Sequence, residues 1–226
     1  VDQLDYAVKT ASLAASGDRG RLRIGLHGLI PGSFLDHLLT RYRADHPAIA
    51  VEMVEGSARD VVIHLRAHRL DVAFLVGMFD LPDCHSRPIW TEPLIAALPR
   101  TIGSPNNPVS HGLISLMRRS LFAMAARTEV HDHIVLRLGG RWPPPTIQRF
   151  EVERGTLLSM VAQGFGVTLL GAASQLFPAA GVVFLPFLDE PEPVIFSAVW
   201  LPQNRSAALR NLLALANEMG RSTESK

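Results

Sequence analysis

The 226-residue chain has a single cysteine, Cys84, so no disulfide can form within it and a reducing compartment is expected. No run of about 18 apolar residues is present, so the sequence predicts no membrane-spanning helix. The net charge of +1 argues against a large nucleic-acid-binding surface, which needs clustered Lys and Arg. Residues 1–20 contain Asp2 and Asp5 and lack a continuous apolar core, unlike a secretory signal. These absences predict a soluble cytoplasmic protein.

The motifs of common catalytic and metal sites are also absent. There is no Gly-x-Ser-x-Gly elbow, no P-loop and no His-Glu-x-x-His. The run 131–133 (His-Asp-His) directs its two histidines to different faces of a helix, and His64 and His68 lack the glutamate of a zinc protease. The glycines of 164–166 follow a helix rather than a strand, which argues against a dinucleotide loop. We therefore expect no metal and no cofactor, and no role for Cys84, which has no second thiol to resolve it.

The first part of the folded sequence alternates strand and helix. Strands are predicted at 21–26, 49–54 and 71–76, with a helix capped by Ser33 after the first and a helix capped by Ser57 or Asp60 after the second. This alternation predicts an α/β fold with a parallel sheet, which binds ligands at the carboxyl ends of its strands. Two loops lie at those ends, 27–32 and 55–59.

The pattern begins again after a stretch rich in Pro, Asn, Gly and Ser at 99–108, which is typical of a hinge. Helices are predicted at 113–119, 129–138 and 156–163, and strands at 92–98, 121–125, 147–152, 167–170, 182–185 and 194–201. A closing helix at 206–218 has no strand of its own and is expected to return to the first lobe. We divide the chain into lobe I, 21–98 plus 200–226, and lobe II, 99–199.

The first 16 residues favour a helix, with apolar residues at the alternating three- and four-residue steps of a coiled-coil seam. The spacing fits a dimerising helix and a frayed helix packed on its own domain equally well.

The loop residues predict a binding cleft between the lobes. Ser57 and Arg59 lie at a helix amino terminus, which favours an anion, and an arginine binds a carboxylate bidentately. Arg127 and Thr128 follow a strand of lobe II and are expected to face them, while Glu153 and Thr156 lie at the next helix start. The full predicted effector-binding set is His27, Gly28, Leu29, Ile30, Ser57, Ala58, Arg59, Arg127, Thr128, Glu153 and Thr156.

The order of several short motifs resembles the effector-binding domain of LysR-type transcriptional regulators. The motifs are 22–25 (LRIG), 46–47 (HP), 54–57 (VEGS), 70–74 (LDVAF) and 161–167 (VAQGFGV), and the likeness spans residues 21 to 215. It implies two Rossmann-like lobes joined by a hinge, similar to type II periplasmic binding proteins. It also implies residues 1–20 as the end of a linker helix, an amino-terminal winged helix-turn-helix absent from this chain, homodimers or homotetramers, and a small inducer between the lobes.

Four positions depart from that family pattern. Gly28 and Leu29 stand where hydroxyl residues are common, Ala58 stands where Ser or Thr is usual, and His68 replaces a glycine. Fewer hydroxyls indicate either a more apolar effector or a carboxylate anchored by Arg59, Arg127 or His27.

Two other functions fit the same fold. A solute-binding protein of a transporter would carry an export signal or lipid anchor upstream, and the seam at the start of the chain favours the regulator instead. A small enzyme needs an acid/base pair in the cleft, for which Glu153 with His27 is the one pair we nominate.

Overall fold

The computed structural model describes residues 20–101, 123–126, 147–150, 152–186 and 192–224. The predicted linker helix and the predicted helices at 113–119 and 129–138 lie outside these ranges. Within them, no helix is long and apolar enough to cross a membrane.

The chain forms two compact units, and it crosses between them at Trp90–Thr91 and at Val194–Ile195. We call the unit before Thr91 and after Val194 lobe I, and the unit from Thr91 to Val194 lobe II. The predicted boundaries lay at 98/99 and 199/200 instead. The difference arises because the strand after Thr91 pairs within lobe II, whereas the strand after Val194 pairs within lobe I.

Lobe I contains a five-stranded sheet in the order β2-β1-β3-β10-β4, in which β2 and β4 are the edge strands. Strand β1 is parallel to both β2 and β3, as the alternating sequence predicts, while β10 is antiparallel to β3. The strands are β1 (Gly20–Leu26), β2 (Ile49–Glu55), β3 (Val72–Val76), β4 (His85–Glu92) and β10 (Val194–Trp200), and the helices are α1 (Phe34–Asp45), α2 (Ala58–Arg66) and α4 (Ala207–Glu224).

Lobe II contains a three-stranded sheet in the order β8-β5-β9 and a two-stranded parallel sheet of β6 and β7. Its elements are β5 (Leu94–Pro99), β6 (Ala123–Ala126), β7 (Ile147–Phe150), α3 (Arg154–Ala162), β8 (Thr168–Gly171), a 3₁₀ helix (Ala172–Leu176) and β9 (Val182–Pro186). Leu157, Leu158 and Val161 of α3 pack on β5, which makes the core of this lobe.

Strand β4 is the main element that the sequence did not predict, since the composition of residues 81–88, with two prolines and an aspartate, predicts a loop. Pro88 and the exposed polar residues before it argue against a central strand. The structure places β4 at the edge of the sheet, where a proline costs no ladder hydrogen bond.

The core of lobe I lies between its sheet and the helices α1 and α4. Tyr42 of α1 is fully buried and donates its hydroxyl hydrogen bond to the Ala208 carbonyl at the start of α4, 2.9 Å away. Burial raises the pKa of Tyr42 to about 12. Arg41 adds a surface bond to Glu218 at 2.9 Å. The closing helix therefore returns to lobe I, as predicted.

Gly25 of β1 allows α2 to approach the sheet. A Cβ atom at this position would lie 2.4 Å from the Val61 side chain and 2.7 Å from Leu70. No side chain larger than hydrogen fits there unless α2 moves, which explains the glycine that ends the LRIG motif.

Arg23 and Asp71 join β1 to the start of β3 through a half-buried ion pair. Both guanidinium contacts are short, Nη2 to Oδ1 at 2.9 Å and Nε to Oδ2 at 3.1 Å, and the Arg23 backbone N–H also donates to Asp71. Burial opposes ionisation of Asp71, but these hydrogen bonds and that of Asn204 together hold its pKa below the ordinary value. The pair explains the arginine and aspartate of the LRIG and LDVAF motifs.

The chain reaches Asp71 through a left-handed turn at the end of α2. His68 has φ of +55°, and Arg69 N donates to the His64 carbonyl, the arrangement of a Schellman cap. The His68 carbonyl in turn accepts from Nη1 of Arg23 at 2.7 Å. Because this conformation favours glycine, it accounts for the glycine that the family pattern carries where this chain has histidine.

Asp71→Asn is expected to destabilise lobe I by about 2 kcal/mol at pH 7, because it leaves the half-buried Arg23 charge without its counterion. An aspartate with a lowered folded pKa contributes stability above its unfolded pKa and loses it as pH falls through the folded value. The difference in unfolding free energy between the wild-type and variant proteins should therefore disappear as the pH falls below about 4. Urea unfolding across pH measures it.

Asp83→Asn is the matched control, because Asp83 pairs with Arg66 on the surface. Its effect should be much smaller. Equal losses for the two variants, or a loss at Asp71 that does not depend on pH, would contradict this role of the ion pair.

Candidate ligand-binding edge of lobe I

The carboxyl ends of β1 and β2 bring the two predicted loops of lobe I together. Leu26 lies opposite Glu55 in the parallel register, and Gly56 N donates to the Leu26 carbonyl at 3.1 Å. Residues 27–30 and 57–59 therefore follow neighbouring strands at one edge of the sheet. We use the name lobe I edge for the end of the sheet at which β1, β2 and β3 finish, as distinct from its edge strands β2 and β4.

The loop after β1 closes in a tight turn before α1. Ser33 N donates to the Ile30 carbonyl at 3.0 Å, and Gly32 has φ of +78°, which favours glycine. Gly32 N donates to Oδ2 of Asp36 at 2.8 Å. The loop is thus tied to the first turn of α1.

Both helices that start at this edge carry the same cap, Ser-x-x-Asp. Ser33 Oγ accepts from Asp36 N at 3.3 Å, and Ser57 Oγ accepts from Asp60 N at 3.2 Å. The Ser57 hydroxyl also donates to Oδ2 of Asp60 at 2.7 Å. Ser57, rather than Asp60, is therefore the cap residue, and its hydroxyl is already engaged within the protein.

These caps change the electrostatics that the sequence predicted. A helix amino terminus attracts an anion, but here Asp36 and Asp60 already place carboxylates in the first turn of each helix. A carboxylate ligand at either terminus would meet a like charge. Arg59 is exposed at the same helix start and is the one cation among the predicted residues of this edge.

Two apolar side chains are accessible at this edge, beside the exposed Arg59 and Asp60. Leu29 is 37% exposed in the loop after β1, and Met78 is 72% exposed just beyond the end of β3. Gly77, between β3 and Met78, has φ of +108° and is held to β10, donating to the Ile195 carbonyl at 2.8 Å and accepting from Ser197 Oγ at 2.6 Å. The edge therefore offers apolar contacts on a fixed backbone.

The remaining predicted residues lie in three kinds of place. Ile30 and Ala58 are buried, so their side chains belong to the core. Glu153 and Thr156 are exposed at the start of α3 in lobe II, where Glu153 is the amino-terminal cap residue. Arg127 and Thr128 lie outside the described residues.

Sequence reasoning missed Asp36 and Met78, and it named Asp60 only as an alternative cap. The two aspartates carry a visible signal, since each stands three residues after a capping serine. Met78 has no motif, and only the end of β3 at Val76 identifies its position.

No group of three or more metal-binding side chains occurs among the residues that the structure describes. His64 lies within α2, and His68 stands in the left-handed turn after it.

A doubly wound α/β lobe with loops gathered at the carboxyl ends of its strands, joined twice to a second α/β lobe, defines a ligand-binding domain with the fold of type II periplasmic binding proteins. The family model described as the LysR substrate-binding domain matches residues 15–221. The chain belongs to this family.

The relatives agree with this assignment. The chain is 24% identical over 220 residues to the HTH-type transcriptional regulator IlvR of Caulobacter vibrioides, covering 96% of this chain and 74% of IlvR. Full-length CbnR in complex with its target DNA has a TM-score of 0.83 at 17% identity, over 97% of this chain and 77% of CbnR. The effector-binding domain of BenM with its effector benzoate has a TM-score of 0.74 at 18% identity, over 92% and 95% of the two chains. The two structural likenesses show the fold.

Ser57→Ala is expected to destabilise lobe I by about 1 kcal/mol, because it removes the cap of α2 and the partner of the Asp60 carboxylate. Chemical unfolding measures the loss. Ser159→Ala is the control, since Ser159 is an exposed helical serine bonded back to the Gly155 carbonyl at 3.0 Å. If both variants are equally stable, the Ser57 cap does not have the structural role given to it here.

Proposed function

We propose that this chain is the ligand-sensing domain of a LysR-type DNA-binding transcriptional regulator, and that its effector is a small apolar or aromatic metabolite, with or without a carboxylate. Family membership supports the regulator. The observation that carries the effector class is the lobe I edge, where the helix starts carry Asp36 and Asp60, and where Leu29 and Met78 are exposed apolar side chains.

An apolar face of the effector is placed against Leu29 and Met78. Desolvating exposed apolar side chains favours binding, at about 25 cal/mol per Å² of buried surface. A carboxylate, where the effector has one, is directed away from the two aspartates and towards Arg59. Arg127, Thr128, Glu153 and Thr156 stay predicted effector-binding residues of lobe II. In this arrangement lobe I contacts the apolar part of the ligand.

A thermal-shift screen with matched acids and amides tests the proposal: benzoate with benzamide, and hexanoate with hexanamide. A ligand at 100 times its Kd stabilises a protein by about 2.7 kcal/mol, which for this size is a shift of roughly 5–10 °C. We expect aromatic compounds to bind more tightly than aliphatic ones of similar size. No shift from any compound would contradict the proposed effector class.

Leu29→Ser and Met78→Ser locate the site of any compound that binds. Because both side chains are exposed, the variants should fold normally, while Kd rises about tenfold, equivalent to 1.4 kcal/mol. Ile63→Ser is the matched control, since Ile63 is 52% exposed on α2 within the same lobe. Unchanged Kd in both test variants would remove the lobe I edge from the site.

We further infer that the chain assembles as a homodimer or homotetramer and that it binds DNA through an amino-terminal domain absent from this sequence. The surface that supports assembly is the outer edge of the sheet, where β2 pairs with β1 on one side and exposes Met53 and Val54. A groove between α1 and this strand adjoins it and reaches the β1–α1 loop, and its lining includes Leu29, Asp36, Leu39, Arg43, Pro47 and Val51. An unpaired edge strand with apolar residues is a site for pairing with another chain.

Sedimentation velocity tests this surface. The wild-type chain is expected to sediment as a dimer or tetramer, and Met53→Glu should shift it towards monomer because it places a charge on the edge strand. Ile63→Glu, at an equally exposed residue of the same lobe, should leave the assembly unchanged. A monomeric wild-type chain, or an assembly insensitive to Met53→Glu, would contradict the inference.

A further inference from the structure

Three aromatic rings form a continuous stack inside lobe I. The ring of Trp90 lies between those of Phe34 and Phe196, with centroids 4.6 Å from each and interplanar angles of 18° and 7°. Phe74 of β3 contacts the same indole at 6.1 Å and 50°. Trp90 is 5% exposed, whereas Phe34 and Phe196 are half-buried.

The three rings belong to the core of lobe I, and each lies at a point where the chain enters or leaves an element discussed above. Phe34 is the first residue of α1 and directly follows the loop that carries Leu29. Trp90 is the last residue of lobe I before the chain crosses into lobe II, and Phe196 is the second residue after it returns. The stack thus connects a candidate ligand-binding loop to both strands that make the crossing.

A second connection runs from the same edge to the same strand. Gly77 precedes Met78, and it is bonded to Ile195 and Ser197 of β10 on either side of Phe196. The Ser197 side chain is fully buried, so its bond to the Gly77 carbonyl is shielded from water. The loop that carries Leu29 is therefore connected to β10 through the rings, and the backbone beside Met78 is connected to it through these hydrogen bonds.

We propose that Phe34, Trp90 and Phe196 form a positioning relay that couples the conformation of the β1–α1 loop to the two crossing strands, β4 and β10. Stacked aromatic rings have preferred separations and orientations, so displacement of one ring alters its contacts with the next ring. A ligand that holds the loop in one conformation thereby favours one arrangement of the crossing strands, and it acts only through its different affinities for the two arrangements. The purpose of the relay rests on the proposed sensing function, but the coupling itself exists without ligand.

Hydrogen exchange of the ligand-free chain tests the coupling, because exchange reports local opening segment by segment. Phe196→Leu removes the far ring while keeping an apolar side chain, and it should raise exchange at least about threefold in residues 27–33, relative to the change in α4. Phe34→Leu, the reverse perturbation at a half-buried position, should raise exchange in 88–91 and 194–197.

Val199→Ala is the matched control, because Val199 is buried on the same strand β10 but packs in the cluster formed with α2. It should change exchange around α2 without selecting residues 27–33. A double-mutant cycle of Phe34→Leu and Phe196→Leu adds a second readout. If the two rings packed independently, the effects of the two substitutions on exchange would add. Because both rings contact Trp90, we expect the effects to be non-additive.

Two results together would overturn the relay. The first is that hydrogen exchange in residues 27–33 changes only as much as the global stability does. The second is that the effects of the two leucine variants are additive. That result would leave the effector proposal intact, because ligand affinity is measured separately. Conversely, coupled exchange in a chain that binds none of the screened compounds would support the relay and count against the effector class.

Discussion

The Arg23–Asp71 ion pair is the interaction on which the arrangement of lobe I depends. It fixes the start of β3 against β1, and Ile24 and Val72 then begin the parallel register that runs to Leu26 and Phe74. Because β1 also pairs with β2, a single central strand sets where both following loops and the end of β3 emerge. Gly25 completes the constraint by letting α2 lie against the sheet, which places the Ser57 cap at the same edge as Leu29. The amino-terminal ends of the strands thus carry the charge pair that supports the fold, and the opposite ends carry the loops.

The chemistry of that opposite edge follows from the way its helices are capped. Each helix start is satisfied by its own serine and aspartate, so the positive end of the helix dipole is already compensated within the protein. The edge is left with exposed apolar groups at Leu29 and Met78, on backbone that Gly77 ties to β10. In this account lobe I recognises shape and apolar surface. The aromatic stack at Trp90 then gives the same edge a physical path to the strands that lead into lobe II.

Sequence patterns predicted the parts of the fold that depend on local signals. Ser33, the alternation of β2 and the apolar run of β3 all stand where the structure has them, since caps and strand periodicity involve few residues. Strand β4 was not predicted, because Pro88 argues against a strand unless that strand lies at the edge of a sheet. The sequence does not show that β4 has this position. The lobe boundaries were misplaced for a similar reason, because strand pairing, and not loop composition, decides where the chain crosses. The two predicted loops of lobe I are neighbours in the structure, but the sequence did not predict the carboxylates beside them. Asp36 and Asp60 place negative charge at this end of the sheet through hydrogen bonds to Gly32 and Ser57. Sequence spacing alone does not establish these bonds.

The central claim is that the lobe I edge binds the effector through its apolar side chains. The most direct measurement is amide chemical-shift mapping of the isotope-labelled chain, titrated with the tightest compound from the acid and amide screen. The account predicts that the largest shifts fall in residues 27–33, 56–60 and 77–79, with smaller ones propagating to Trp90 and 195–197. Shifts confined to the part of the α1–β2 groove lined by Arg43, Pro47 and Val51, or confined to lobe II, with residues 27–33 and 77–79 unaffected in either case, would contradict it.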